Sequence, residues 1–452
     1  MGDPSTEAPG ATPEAIRPDF IPADRYLGAN LTALEHERLW PRIWHIVCRQ
    51  EEVGAVGDYV TYEIGAESVI VVRTDQTRVK ALYNVCQHRG RRLIDDSHGK
   101  ARGFHCKFHG WSYRLDGSIA QIYRKEEWAK CAGFLDEKLG LKELRIESWG
   151  GWWWVNMDPL APNLLEWLGD DVVTTFAHFD FPKLRRAWHE VLIAPVNWKV
   201  VIEAFSEGYH SGATHNHWVD YNLMRSPTSV HGRHAKFSTD FAGLPRAKRE
   251  DGQWRPTQTL QEMLYYQIKE LHDTLFALAP DPLMRAAKRL YEEAESTLDP
   301  AQILDRLWTL HREELTATGA EWPSQLTQAD VFAAGTGWHI FPNTIFLPAV
   351  DGVLWYRVRP FGSDPHRCIF DIWALQRYAP GNEPHIKTHV SDGFEAFRGR
   401  NYFLEQDFEN MLAVDRGMAS RGWAGARTNP GEEGTINHFH RMLDEYLASP
   451  PS

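Results

Sequence analysis

Cysteine is scarce in this chain: Cys48, Cys86, Cys106, Cys131 and Cys368 are all there are in 452 residues. So small, odd and scattered a set does not build a secreted disulfide framework. Positive charge is also short, with 49 Lys and Arg against 61 Asp and Glu, a net charge of -12. A surface that tracks nucleic-acid phosphates needs clustered basic residues, so a nucleic-acid partner is excluded. Long apolar runs are missing. The richest, WGGWWWVNM, is too short to cross a bilayer, so no membrane association is expected. No apolar segment of the secretory type follows the start, and MGDPSTEAPGATPEA reads as a flexible tail. Its fit to a myristoylation pattern is a short-motif coincidence. These absences point to a reducing cytoplasm.

What is present is an ordinary globular composition, 43% hydrophobic and 24% charged, in a chain long enough for two domains. From Val53 to Val155, short strand-like runs (DYVTYEI, SVIVVRT, VKALYNV) alternate with Gly, Asp and Asn turns, the pattern of a small all-β domain. Trp149 to Val155 reads as its last strand. Beyond Asp158-Pro159 the text is mixed: helical at LLEWLGDDVVTTFAHF, extended from Trp188 to Ile193, and helical in composition from Asn197 to His215. Leu260, Leu264, Ile268, Leu271 and Leu275 share one helical face. Strands return at TIFLPAV, VLWYRVRPF and CIFDIWALQRYA, before a last helix from Phe403 to about Ala419. The class is α+β, divided as a tail and helix (1–39), a β domain (40–158) and a larger domain (159–452) with a helical insertion at about 257–318.

The stretch CQHRGRRLIDDSHGKARGFHCKFHGW, Cys86 to Trp111, holds two clips: Cys-x-His and, seventeen residues later, Cys-x-x-His. Two thiolates and two imidazoles in paired clips indicate a metal. Zinc suits such a set through its tetrahedral preference. Iron and sulfide suit it better, because each clip mixes one Cys with one His. Two thiolates can then hold one iron and two imidazoles the other. A glycine follows each clip, allowing tight loops whose amides point at bridging sulfides, and nothing nearby has the ββα text of a zinc finger. The pattern Cys86-x-His88 with Cys106-x-x-His109 resembles the Rieske motif, and the resemblance implies these four residues as ligands of a [2Fe-2S] cluster. Neutral imidazoles in place of two thiolates raise its potential above that of an all-cysteine ferredoxin. His98 and His105, within the same stretch, read as surface histidines.

A second constellation lies in NWKVVIEAFSEGYHSGATH, where His210 and His215 are five apart and Glu207 is three before the first. On an ideal helix three residues leave an offset of about 60° and five about 140°. An unbroken helix would not aim both histidines at one point, though Gly208 and Gly212 can let it distort. Spacing alone leaves a structural role open. The longer pattern, Asn197-Trp198-Lys199 followed by Glu203-Ala-Phe205-Ser-Glu207-Gly-Tyr209-His210 and His215, resembles the mononuclear-iron motif of Rieske non-haem iron oxygenases, large (α) subunits. That resemblance implies an all-β Rieske domain of antiparallel sheets, joined to a catalytic domain whose antiparallel sheet is covered by helices. It implies one Fe(II) held by His210, His215 and a carboxylate from FLEQDFENMLAVDRGMAS, where Asp407 occupies the matching place. Glu405, Glu409 and Asp415 are its acidic neighbours. It implies that Glu207 orients His210 and links to the His109 imidazole of a neighbouring subunit, in an α3 or α3β3 assembly. Ala204 stands where the family often has Asn, and a pocket of altered shape is expected.

The reaction so implied uses O2 to hydroxylate an aromatic or other apolar ring substrate, giving a cis-dihydrodiol. Monooxygenation or demethylation is the alternative, and a plain electron carrier or a zinc-stabilised binding protein are the other classes. Three scattered cysteines remain after the Rieske pair, too few for a ferredoxin cluster, and the GTG at Gly335 to Gly337 lacks the rest of a dinucleotide fingerprint. Electrons are therefore expected from an external ferredoxin and/or NAD(P)H reductase. Phe205, Trp218, Trp338 and Phe346 are candidates to line the substrate cavity, although isolated aromatics more often belong to the core. The helices between Thr257 and Thr318 either cover the active site or pack between subunits.

Overall fold

A computed structural model describes residues 16–131, 139–216, 224–241, 246–248, 253–275, 277–293 and 298–448. The N-terminal tail to residue 15 and Trp218 lie outside the described residues. Among the described residues, the alternating runs of the first third form a seven-stranded antiparallel sheet. Its spatial order is His45–Arg49, Trp152–Asn156, Glu143–Trp149, Val79–Tyr83, Glu67–Arg73, Asp58–Ile64 and His98–Lys100. A smaller sheet of Phe104–His105, Ser112–Tyr113 and Ile119–Gln121 shares an apolar cluster with it through Phe104, Tyr113, Ile70 and Leu82. The expected single strand from Trp149 to Val155 is instead a hairpin, because Gly150 and Gly151 both take positive φ (64° and 78°). Consecutive left-handed residues make the tight turn whose twist matches paired strands.

The larger domain is built on an eight-stranded sheet, in the order Thr228–His231, His234–Phe237, Gly337–Ile340, Thr344–Pro348, Gly352–Phe361, Asp364–Gln376, Arg185–Ala194 and His389–Asp392. Only the last pairing is parallel among those described. Helix Trp198–Phe205 lies against this sheet and against helix Tyr402–Met418. The helical insertion comprises Leu260–Thr274, Asp281–Glu292 and Pro300–Ala317, packed on one another through Leu260, Leu264, Ile268 and Leu290. A final helix, Gly434–Ala448, follows; its heavy polar content concealed it from the sequence pattern.

One tryptophan-rich core, including Trp44, Trp152, Trp154, Trp338, Trp355 and Trp373, runs from the first sheet into the second. Buried charge crosses the same boundary. Arg357 donates Nη1 to the carbonyls of Ile46 and Val47, and Arg359 reaches the carbonyl of Glu63, while Asp371 accepts from both guanidinium groups. Two bodies locked in this way hold their sites at fixed separation. Among the described residues, no helix is long and apolar enough to cross a membrane.

Candidate metal centres

Cys86 and Cys106 sit in two loops with the same hydrogen-bond pattern. In each, the cysteine N–H donates to the carbonyl five residues on (Arg91, Trp111), and a glycine N–H four residues on donates back to the cysteine carbonyl. Gly90 and Gly110 supply that return with φ of 74° and 77°, which a side chain would disfavour. The loops bring the histidines together, with the His88 and His109 rings 4.6 Å apart. Trp111 stacks on His88 at 4.9 Å, and Tyr113 places its hydroxyl 3.3 Å from the Cys86 sulfur. Burial raises the Cys106 thiol, but the N–H groups of Phe108 and His109 that point at its sulfur outweigh this and lower its pKa. His98 and His105 are exposed and bonded to Ser97 and Ser112.

These four side chains suit a binuclear occupant. The Nδ1 atoms of His88 and His109 are buried and have no hydrogen-bond partner among the described residues, which bonds to a metal would complete. The four do not close to the spacing of a single ion. Among the described residues, one group of three or more has all its ligand atoms within 4.8 Å of one another, and it is His210, His215 and Asp407.

That second group exists because the expected helix from Asn197 to His215 breaks. Asn197 caps helix Trp198–Phe205 through Lys199 N–H, and the chain leaves it at Ser206 before a short turn, Ser211–Thr214. Glu207 occupies the break, accepting from His210 N–H (3.0 Å) and from His210 Nδ1 (2.6 Å). His210 Nε2 is thereby left facing Asp407 Oδ1 at 3.6 Å, and His215 Nε2 lies 3.1 Å from the same oxygen. Burial disfavours a charged imidazole at His210, but the Glu207 and Asp407 carboxylates outweigh it and raise the pKa to about 9. Two imidazoles and one carboxylate on one side of an ion leave its other positions open.

Helix Tyr402–Met418 distinguishes Asp407 from its acidic neighbours. Glu405 accepts from the N–H groups of Gly399 and Arg400, Glu409 is exposed, and Asp415 accepts from Asn197 N–H and meets His366. Gln406 is a residue that sequence reasoning passed over: its Oε1 accepts from His215 Nδ1 at 2.9 Å. An amide beside a carboxylate carries no signal until the fold places an imidazole opposite. Among the described residues, no hydrogen bond within the chain joins Glu207 to His109.

Two clefts flank this group. One is apolar, walled by Phe205, Phe237, Leu271, Leu275, Leu347 and Phe403, and reaches His210, His215 and Asp407. Leu271 belongs to the first helix of the insertion, so that element does reach this cavity. Trp338 and Phe346 do not line it; both are fully buried in the core. The other cleft is acidic, with Glu203, Glu207 and Glu433. Ala204 lies there and not on the apolar side, so its effect on the shape of the apolar cavity is indirect at most.

Comparison with known proteins places the chain in a family. Residues 43–133 match the family described as "Rieske [2Fe-2S] domain", and residues 181–449 match "Ring hydroxylating alpha subunit (catalytic domain)". The chain is 34% identical to a carnitine monooxygenase oxygenase subunit of Escherichia coli (strain K12) over 199 residues, 43% of this chain and 52% of that protein. It is 35% identical to the large oxygenase component of a naphthalene 1,2-dioxygenase system from Pseudomonas aeruginosa over 203 residues, 43% of each. The matched stretch thus spans about half the length of these curated relatives. The solved structure of a quaternary ammonium Rieske monooxygenase with L-carnitine superposes with a TM-score of 0.63 at 19% identity, covering 95% of this chain and 97% of that one. At that identity the likeness concerns the fold.

Proposed function

The chain belongs to the ring-hydroxylating α-subunit family, with a Rieske domain and its [2Fe-2S] cluster and a catalytic domain for one mononuclear Fe(II), and on that premise we propose how its residues work and on what. It is a Rieske terminal oxygenase. Cys86, His88, Cys106 and His109 hold the cluster, and His210, His215 and Asp407 hold the iron. When bound, the two groups supply single electrons and activation of O2. The protein's own contribution is placement. Glu207 fixes the His210 ring and tautomer, Gln406 does the same for His215, and the apolar cleft holds a substrate against the open side while excluding bulk water. The link from Glu207 to a Rieske imidazole that the family resemblance implies is assigned to the partner subunit's His109, in a trimer of α-chains with or without β-chains. An external ferredoxin and/or reductase supplies the electrons in a reducing cytoplasm.

The observation that carries the assignment is the convergence of His210, His215 and Asp407 on one point at the end of an apolar cleft. The substrate is a neutral, largely apolar ring compound and the reaction its cis-dihydroxylation. Among the described residues, the cleft wall contains no Lys or Arg, and its carboxylates stand at the metal end, leaving nothing to pair with a substrate carboxylate such as carnitine's. Monooxygenation is the second reading, favoured by the names of several relatives, and the aromatic wall could also face a quaternary ammonium. The test is turnover with isotopically labelled O2, a reductase system and a panel containing naphthalene, indole, carnitine and glycine betaine. Two labelled oxygens in a naphthalene product support the first reading, whereas a demethylated amine released together with formaldehyde, which takes the one inserted oxygen, supports the second. Asp407→Ala should lower the iron content from about three to about two per chain and abolish product while sparing the Rieske chromophore. Retained product would refute Asp407 as the ligand.

A further inference from the structure

One polar group in the apolar cleft has no role in the scheme above. Tyr356 lies on strand Gly352–Phe361, in register with Ile345 on one side and Ile372 on the other, which directs it to the cleft side of the sheet with Phe205. Its ring packs against Phe205 (4.7 Å) and Phe370 (5.3 Å), and the residue is 2% exposed. Packing alone would be served as well by phenylalanine. Yet the phenol hydroxyl forms no hydrogen bond with any described residue, and it is not among the polar atoms sealed from solvent. Of the other hydroxyls in this wall, Thr336 donates to Thr239 at 2.8 Å, and Ser211 sits at the metal end, next to His210 in the chain. A hydroxyl held in an apolar cleft without a partner in the protein keeps its hydrogen bond for water or for a guest that displaces it.

We infer that Tyr356 is a specificity-determining residue, whose O–H donates to a single neutral acceptor on an otherwise apolar substrate. The inference rests on the apolar cleft being the substrate site, and it narrows the substrate class from ring hydrocarbons to rings bearing one carbonyl, ether, hydroxyl or heteroatom acceptor. An anionic acceptor is disfavoured, because Asp407 is close enough to act on the phenol electrostatically and no cation lines the described wall. The bond would fix the ring's orientation towards His210, His215 and Asp407, so the anchored end also selects which ring carbons face the metal side.

The test uses the iron-loaded protein and two probes with one carbon skeleton, indane and 1-indanone, which differ by a carbonyl oxygen. In equilibrium dialysis, Tyr356→Phe should weaken 1-indanone about tenfold and leave indane within about twofold. Equal loss for both probes, no loss for 1-indanone, or no retention of either by the wild type at millimolar concentration would overturn the inference. Turnover separates it from the reading on which it rests. The dialysis pattern with no oxygenated product from any substrate, electron donors present, would refute the oxygenase reading and leave the anchor standing.

Discussion

The two imidazoles proposed to hold the iron differ in what fixes them: a carboxylate, Glu207, for His210 and a neutral amide, Gln406, for His215. Gln406 Nε2 donates in turn to the Tyr402 hydroxyl, which sets the amide with its oxygen towards the imidazole N–H. Replacing it by leucine removes the acceptor that sets the imidazole's tautomer and leaves the stack on Phe403, 3.6 Å between centroids, which cannot set it. Gln406→Leu should weaken iron binding roughly 10- to 100-fold, with the Rieske absorbance unchanged, as measured by chelator competition. Gln406→Glu should retain affinity. A comparable argument applies at Cys86. Gln87 N–H donates to the Tyr113 oxygen (3.0 Å), leaving the phenol hydrogen for the Cys86 sulfur. Reduction makes the cluster more negative, so this donor stabilises the reduced form. Tyr113→Phe should lower the potential by on the order of 50 mV in a redox titration, and an unchanged potential would deny that contact in the loaded protein.

The elements that matter most are those that stop. Helix Trp198–Phe205 ends where Glu207 must turn back to His210, and an uninterrupted helix would have separated the histidines. Helix Tyr402–Met418 instead runs on, so that Asp407 and Asp415, two turns apart and both buried, serve different ends: one meets the histidines and the other anchors Asn197. The Gly150–Gly151 turn shows how a hairpin joins the domains. Arg49 fills the space beside Gly151 and donates to the carbonyls of Gly150 (2.8 Å) and Leu184 (2.7 Å). A Cβ at Gly151 would collide with that guanidinium at a φ that L-residues avoid. Gly151→Ala should destabilise the protein by about 2 kcal/mol, read as a lowered melting temperature with the site chemistry unchanged.

Taken whole, the molecule buries titratable groups whose protonation opposes folding. Burial lowers His45 and His339 to about 4 and His234 well below its ordinary value. Between pH 6.5 and 4 the unfolded chain binds protons at these sites that the native chain does not. Stability is therefore full above pH 6.5 and falls as the pH drops, by on the order of 3 kcal/mol each for His45 and His339. Asp371 extends the decline to lower pH. Burial would raise its carboxyl, but Arg357 and Arg359 hold it well below the carboxylate range. Glu433, raised to about 6 by burial and by Glu207 and Glu203, acts in the opposite sense between 4.5 and 6 but is a smaller effect. Melting curves at pH 7.5 and 5 should show a marked loss at the lower pH, and equal melting temperatures would contradict this account.

The chain text was sufficient for the class of fold and the family, and it singled out the side chains that the fold brings together at both proposed metal sites. Cluster chemistry needs Cys and His in close-set clips, and strand alternation survives in the local pattern. Local text misled at Gly150, and it put the distortion of the next helix at Gly208 and Gly212 where the helix in fact ends at Ser206, because a pair of glycines or a serine is compatible with either outcome. It was silent on Gln406 and on the orientation of Tyr356. Both depend on partners far away in the chain: Gln406 faces His215 from 191 positions on, and Tyr356 meets Phe205 across a sheet and a helix. Which way a side chain faces and whether it finds a partner are properties of packing, and no periodicity within one segment encodes them.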